Sequence, residues 1–229
     1  RLLWVPATSE RKKAIDAQMK MIEQSDVVLA FMGIGLDQER EGIDRSTMDL
    51  PADQEDFIEE AIKHNKNIVL VLVNGSPMSI NWAAANIPAI VEMWYSGEQG
   101  GNGIADVLFG DYNPAGRLPV TFYKSIEDLP PFDDYEVSKG RTYQYFKGKP
   151  IYPFGYGLSY TKFEYSGLKI DKPKAGQKDT VNISFKVKNT GSRDGEEVAQ
   201  LYVHDIAASD YRPVKKLQGF KRVAVKKEI

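Results

Sequence analysis

The sequence contains no cysteine and only two histidines, His64 and His204. The absence of cysteine excludes disulfide bonds, thiolate metal sites and cysteine nucleophiles. Because the two histidines lie far apart and in unlike contexts, neither a histidine-based catalytic triad nor a histidine-rich metal site is expected. No apolar run approaches the roughly 20 residues that a membrane-spanning helix needs, so a membrane is not an expected partner.

The sequence also lacks a charge excess, since 30 basic residues stand against 32 acidic ones. No basic stripe is present, which argues against a nucleic-acid partner. The hydrophobic fraction of 42% and the charged fraction of 27% are typical of a globular protein with an apolar core. The chain starts at Arg1 without an initiator methionine and stops at Ile229 in a strand-like region. We therefore interpret it as a piece of a longer protein.

Residues 9–110 alternate between helix-like and strand-like patterns. Residues 9–25 predict an amphipathic helix, and the apolar run Val27–Gly33 predicts a strand buried on both faces of a sheet. Further helices are predicted after Pro51, at 80–86 and at Gly100–Phe109, and further strands at Asn67–Val73 and Ala89–Trp94. This alternation predicts an α/β fold with a mostly parallel sheet flanked by helices. Ligands of such folds bind beyond the carboxyl ends of the strands.

The pattern changes in the second half of the chain. The stretch 112–160 is rich in proline, glycine and tyrosine, and Leu118–Phe122 is its best strand candidate. After Thr161, apolar and polar residues alternate at 181–187 and 199–203, which is typical of half-buried antiparallel strands. A β-sandwich of this kind needs about 100 residues, whereas residues 161–229 supply only 69. The pattern therefore predicts a partial antiparallel β-sandwich.

The densest group of ionisable side chains lies in the loop that follows the first predicted strand, between Asp37 and Arg45. Several carboxylates alternate there with two arginines. A glycosidase needs one carboxyl group that stays protonated near neutral pH, and a neighbouring carboxylate raises a pKa whereas an arginine lowers it. The residues alone do not decide between a catalytic carboxyl group and a solvated loop held by local ion pairs.

Several longer motifs resemble glycoside hydrolase family 3. The segment 41–45, Glu-Gly-Ile-Asp-Arg, followed by Leu50-Pro51 and Gln54, resembles the part of these β-glycosidases that carries the general acid/base. The runs 97–111 and 113–121 resemble the downstream part of the same domain. Residues 152–160 resemble the link into the family's fibronectin type III-like module, and 212–220 resemble a segment inside it.

The resemblance implies roles for individual residues. Glu41 takes the position of the catalytic acid/base, and Glu39 is its rival because this loop varies within the family. Asp44 and Arg45 are expected mainly to fix the loop, with an arginine–carboxylate bond as their work. Family members carry their nucleophilic aspartate on an N-terminal (β/α)8 barrel, which is absent from this sequence. No metal or organic cofactor is implied.

The resemblance also implies the organisation and the substrate. Residues 1–160 are expected to form the α/β sandwich domain with its linker, and residues 161–229 a truncated fibronectin type III-like domain. The partners are then the barrel of the same protein and a terminal β-linked sugar. The run 35–38, Gly-Leu-Asp-Gln, resembles the β-xylosidase branch, so β-xylosides are favoured over β-glucosides. Secretion or a periplasmic location is expected.

Two other functions remain open from the sequence. The sandwich-like tail favours a carbohydrate-binding or interaction module that acts alone. A purely structural domain, with a loop around Glu41 that takes no part in catalysis, is the third interpretation. This fragment alone is predicted to be inactive as an enzyme.

Overall fold

The computed structural model describes residues 9–228, which fall into two compact units. The first unit comprises residues up to Gln99 together with Thr121–Tyr135 and Gly148–Tyr152. The second unit comprises Gly100–Val120, Glu136–Lys147 and the chain from Pro153 onward. No helix within the described residues is both long and apolar enough to cross a membrane.

The first unit is a three-stranded parallel sheet with helices between its strands. Its elements are α1 (Ser9–Glu23), β1 (Val28–Gly33), α2 (Ala52–His64), β2 (Ile68–Val73), α3 (Asn81–Asn86) and β3 (Ala89–Glu92). The strands lie in the order β1-β2-β3. Val28 pairs with Ile68 and Val69 with Ala89, so all three strands end at the same edge. This confirms the predicted parallel α/β architecture.

One face of the sheet packs against the helices to form the core. The buried residues of this cluster include Met19, Ile22, Ala30, Ile58, Ala61, Ile68, Leu70 and Leu72. Acidic residues in the first turn of α2 and basic residues in its last turn complement the helix dipole. The core therefore fixes β2 as the central strand, and the loops at its carboxyl end start from a rigid base.

The expectations about β1 and β3 each need a correction. Strand β1 is not buried on both faces, since the side chains of Leu29 and Phe31 remain 42% and 48% exposed. Strand β1 lies at the edge of the described sheet, and only alternate residues such as Ala30 face the helix-covered core. Strand β3 ends at Glu92 rather than Trp94, because Trp94 has a φ of 58° and leaves the extended conformation.

The segment Leu118–Phe122 does not form the predicted strand. It forms one isolated bridge, between Phe122 and Tyr152, and Leu118 exchanges backbone hydrogen bonds with Gly155 and Tyr156. Pro119 interrupts the run, and a proline cannot donate a hydrogen bond to a β-ladder. Phe122 is nonetheless buried in the first unit and contacts Trp94 edge to face at 6.2 Å.

The second unit contains α4 (Gly100–Phe109), the short α5 (Thr142–Tyr145) and four strands. The strands β4 (Phe163–Ile170) and β5 (Ile183–Asn189) pair antiparallel, as do β6 (Gly195–Val203) and β7 (Lys216–Val225). The predicted antiparallel strands are therefore present. Helix α4 matches its predicted bounds, and Gly110 ends it with a φ of 83°.

The motif residues of the second unit have structural partners. The side-chain oxygen of Asn113 accepts hydrogen bonds from the Ser159 hydroxyl and the Tyr160 backbone N–H, at 2.9 and 2.8 Å. Arg117 forms an ion pair with Glu197 on β6, and both side chains are nearly buried. Burial and a hydrogen bond to the Glu197 carboxylate raise the pKa of Tyr165 to about 12. These motif residues thus hold the linker segments to the strands.

Candidate active site

Glu41 lies at the tip of a tight turn in the loop that follows β1. Arg40 and Ile43 close the turn with two backbone hydrogen bonds of 3.2 and 2.9 Å. Gly42 has a φ of 76°, a left-handed conformation that glycine adopts without a steric penalty. The Glu41 side chain is exposed, and it makes no hydrogen bond or ion pair with any described residue. Its carboxyl group is therefore available to a ligand.

Glu39, two residues earlier, is held by the protein itself. Arg45 Nε lies 2.9 Å from Glu39 Oε2, and the Ser76 hydroxyl donates to the same oxygen. Arg45 also donates from Nη2 to Ser76 Oγ at 2.6 Å and to the Pro77 carbonyl at 2.9 Å. The side chains of Glu39 and Arg45 are only 22% and 12% exposed. Glu39 thus fastens the loop to the segment after β2.

The expected loop-fixing role is confirmed for Arg45, which makes the arginine–carboxylate bond with Glu39. The expectation for Asp44 is not met, since this exposed side chain makes no hydrogen bond or ion pair with a described residue. The two neighbours therefore differ. Arg45 points toward the protein and Asp44 is in solvent.

The stem of the loop is fixed by Gly33 and Gln54. The Gln54 side chain donates to the Gly33 carbonyl and accepts from the Gly33 N–H, both at 2.8 Å. A Cβ atom at Gly33 would lie 1.9 Å from the Val73 carbonyl oxygen, and its φ is 147°. Only glycine fits there. Gln54 belongs to the sequence motif, but the motif did not indicate that its side chain makes hydrogen bonds with the backbone at the end of β1.

Tyr95 ties the same loop to the end of β3. Its hydroxyl donates to the Ile34 carbonyl at 2.9 Å. A Cβ at Gly75 would lie 2.7 Å from a ring carbon of Tyr95 and 2.9 Å from Glu39 Oε1, so the glycine permits both neighbours to approach. Burial raises the pKa of the Tyr95 phenol, and the nearby Glu39 carboxylate raises it further. This phenol therefore stays neutral and serves as a donor.

A polar pair that the sequence did not indicate, the buried Asn74 and the partly buried Glu92, lies at the carboxyl ends of β2 and β3. Asn74 is fully buried, and its side-chain nitrogen donates to the Ser76 carbonyl at 2.9 Å and to Glu92 at 3.3 Å. Burial raises the pKa of Glu92 to about 7, although hydrogen bonds from Trp94 and Asn74 oppose the shift. The one available signal was a glutamate at the end of an apolar strand.

Two family models match parts of this chain. The family model described as the glycosyl hydrolase family 3 C-terminal domain matches residues 6–160, more than half of the chain. The chain belongs to glycoside hydrolase family 3. A fibronectin type III-like domain model matches residues 197–228. The division of the chain at residue 160 stays a prediction.

The relatives of this family 3 chain include proteins named beta-glucosidase and proteins named beta-xylosidase. The periplasmic beta-glucosidase of Salmonella typhimurium is 39% identical over 224 residues, covering 93% of this chain and 29% of the relative. The xylan 1,4-beta-xylosidase of Xylanibacter ruminicola is 42% identical over 185 residues, covering 81% and 21%. The solved family 3 beta-glucosidase of Bifidobacterium adolescentis superposes with a TM-score of 0.86 at 33% identity, covering 98% and 35%. The chain thus spans about a third or less of the proteins that it matches.

Proposed function

We propose that this chain is the acid/base-bearing part of a retaining family 3 β-glycosidase, with Glu41 as the general acid/base. The observation that carries the proposal is the contrast between two glutamates. Glu39 already accepts hydrogen bonds from Arg45 and Ser76, whereas Glu41 is exposed at the tip of a turn without a described partner. A carboxyl group that exchanges protons with a substrate has to be within reach of that substrate.

The proposed reaction has two steps. In the first step, an aspartate outside these 229 residues attacks the anomeric carbon and the glycosidic C–O bond breaks. Glu41 donates its proton to the leaving oxygen. In the second step, Glu41 takes a proton from water, the water oxygen bonds to the anomeric carbon, and the ester bond to the aspartate breaks. Retention requires the two carboxyl groups to lie about 5–5.5 Å apart.

The position of the turn supports this mechanism. The loop leaves the carboxyl end of β1, which is where parallel α/β folds present their ligand-binding residues. The hydrogen bonds of Arg45, Gln54 and Tyr95 fix the base of this loop. Because the base of the loop is fixed, the Glu41 carboxyl group can be exposed and still be held in one place. Proton transfer in the transition state requires such positioning.

The test is Glu41→Gln in the full-length protein. Hydrolysis of phenyl β-glycosides, whose leaving group needs a proton, is expected to fall by at least about 100-fold, whereas the first step with dinitrophenyl β-glycosides needs no acid. With the dinitrophenyl glycoside, added azide should restore the turnover of Glu41→Gln and give a glycosyl azide, because azide attacks the glycosyl–enzyme without a general base. Glu39→Gln is the matched variant and should show no azide rescue. Azide rescue of Glu39→Gln, with none for Glu41→Gln, would transfer the role to Glu39.

The substrate within the proposed class is a terminal β-xyloside, with a β-glucoside as the alternative. The names of the relatives include both activities and do not separate them. The ratio of kcat/KM for xylobiose to that for cellobiose, measured on the full-length protein, decides between them. The proposed location is outside the cytoplasm, in the periplasm or in the medium. The name of the Salmonella relative, a periplasmic beta-glucosidase, supports this location.

A further inference from the structure

The buried Asn74 and the partly buried Glu92 lie at the sheet edge from which the loop that carries Glu41 starts. Asn74 is 0% exposed, and Glu92 ends β3 at the same sheet edge where β2 ends. Burying an amide beside a carboxyl group is unfavourable unless both are hydrogen-bonded. The bonds that these two groups make lead by two separate routes to the loop between Ile34 and Arg45.

The first route runs through Ser76. Asn74 Nδ2 donates to the Ser76 carbonyl at 2.9 Å and so fixes the backbone of this residue. The Ser76 hydroxyl then donates to Glu39 and accepts from Arg45 Nη2 at 2.6 Å. Glu39 and Arg45 flank the turn on both sides. The amide of Asn74 therefore sets the position of the serine to which both flanks of the Glu41 turn are attached.

The second route runs through Trp94 and Tyr95. The Trp94 backbone N–H donates to Glu92 Oε1 at 3.0 Å. Trp94 has a φ of 58°, a left-handed conformation that is unfavourable for a bulky residue and persists only where the surroundings enforce it. The Glu92 bond helps to enforce it. The chain reversal brings the Tyr95 hydroxyl to 2.9 Å from the Ile34 carbonyl, at the beginning of the same loop.

We propose that Asn74 and Glu92 are positioning residues that hold the Glu41 turn in its catalytic place through Ser76 and Tyr95. The inference rests on the proposed function of Glu41. Neither residue touches the turn directly. Their effect is transmitted by the neighbouring segments that meet the loop at Ile34, Glu39 and Arg45.

The protonation state of Glu92 agrees with this role. Burial raises its pKa to about 7, so the neutral carboxyl group is well populated in mildly acidic solution. A neutral Glu92 supplies a hydroxyl donor next to the amide of Asn74. Asn74 Oδ1 is buried and has no hydrogen-bond partner among the described residues. A neutral Glu92 that accepts from the Asn74 amide can hold the loop without a buried charge.

The experiment uses Asn74→Ala in the full-length protein with phenyl and dinitrophenyl β-glycosides. Displacing a general acid by about 1 Å costs roughly 100-fold in rate. We expect kcat/KM, which reports the first step, to fall by about 10- to 100-fold for the phenyl glycoside and by less than about 3-fold for the dinitrophenyl glycoside. A loss of folded protein alone would lower both rates in the same proportion.

Asn189→Ala is the matched control. Asn189 is 1% exposed and donates to the carbonyls of Arg193 and Val225 in the second unit. This substitution removes an equally buried amide and should lower both rates equally. Tyr95→Phe is a second, milder variant, because it removes only the bond to Ile34. It should show the same leaving-group dependence at a few-fold level, and it keeps the proposal testable if Asn74→Ala does not fold.

The double variant Asn74→Ala with Glu41→Gln separates the two proposals. If Asn74 acts through Glu41, its loss adds no further leaving-group dependence once Glu41 is replaced. Glu92→Gln, which keeps a neutral hydrogen-bonding group, should retain the wild-type profile, whereas Glu92→Ala should lose it. Glu41→Gln without leaving-group dependence would refute the proposed function. Leaving-group dependence in Glu41→Gln, together with equal losses in Asn74→Ala and Tyr95→Phe, would refute only the positioning role.

Discussion

Glu92 carries a carboxyl group whose direct hydrogen-bond donors, the Trp94 N–H and the Asn74 amide, are both neutral. Burial therefore dominates and raises its pKa from 4.5 to about 7. A folded-state pKa above that of the unfolded chain favours the protonated form in the fold. The contribution to stability is complete below the unfolded pKa of 4.5 and is lost as the pH rises toward 7. The loss amounts to at most about 3 kcal/mol.

The prediction at this residue concerns Glu92→Gln, which removes the ionisation and keeps the shape. At about pH 5 the wild type and the variant should melt at similar temperatures, and at about pH 8 the variant should melt at a higher temperature. Thermal unfolding of the full-length protein, followed across this pH range, measures the difference. Glu98→Gln, at an exposed glutamate, is the control and should show no such divergence. A constant difference between wild type and Glu92→Gln at all pH values would contradict the assigned ionisation.

The choice between Glu39 and Glu41 illustrates what the sequence could and could not predict about the site. Both glutamates lie in one charged loop, and the sequence placed that loop correctly at the end of β1. Glu39 is held by Arg45 from the same loop and by Ser76, which is distant in sequence and comes from the segment after β2. A hydrogen bond of that kind has no local sequence signature. The resemblance gave Glu41 the role, and the structure adds a physical reason for favouring it.

At the level of elements, the predictions succeeded where local periodicity decides the outcome. Helix α4 and strand β2 have nearly their predicted bounds because apolar spacing and a terminal glycine specify them. The predicted strand at Leu118–Phe122 failed because a strand also needs a continuous ladder, whereas this segment bonds to residues 151–156 at its two ends, with Pro119 between them. The exposed face of β1 was not predicted either, because its exposure depends on which elements lie beside and over that strand. An apolar run shows that a strand can be buried, whereas neighbouring elements decide whether it is.

A prediction about the strands concerns Gly33, where β1 lies closest to β2. Replacing Gly33 by alanine puts a Cβ atom 1.9 Å from the Val73 carbonyl oxygen, at a φ of 147° that L-residues rarely adopt. The ladder between β1 and β2 has to open there, and the pairing of Gly33 with Gln54 is lost with it. We expect a destabilisation of about 3 kcal/mol, measured by chemical denaturation.

Gly101→Ala is the matched control for Gly33→Ala. A Cβ atom at Gly101 meets nothing within 4 Å, and the residue lies in helix α4. Alanine should stabilise the helix there by up to about 1 kcal/mol. If both alanine variants had the same unfolding midpoint, the close approach at Gly33 would not limit stability. The activity of Gly33→Ala should fall with its stability, because the loop to Glu41 begins at this residue.

At the scale of the whole molecule, the proposed chemistry requires more than these 229 residues. A retaining glycosidase needs two carboxyl groups on opposite sides of the sugar. In the loop after β1, one candidate glutamate is committed to Arg45 and Ser76, and the other is exposed without a described partner. The matched parts amount to only 29% and 21% of two relatives, which are therefore much longer than this chain. The second carboxyl group is therefore expected outside the chain.

The last prediction compares the isolated chain with the full-length protein. The isolated chain should hydrolyse neither phenyl nor dinitrophenyl β-xylosides, and calorimetric titration with xylobiose should give no binding, because the proposed function places the nucleophile and most of the sugar pocket outside it. The full-length protein should act on both substrates and lose the phenyl xyloside first when Glu41 is replaced by glutamine. Clear binding of xylobiose to the isolated chain would instead support a carbohydrate-binding module. Turnover by the isolated chain that survives Glu41→Gln would show that the reacting carboxyl groups lie elsewhere, since a single exposed glutamate cannot supply both the nucleophile and the acid.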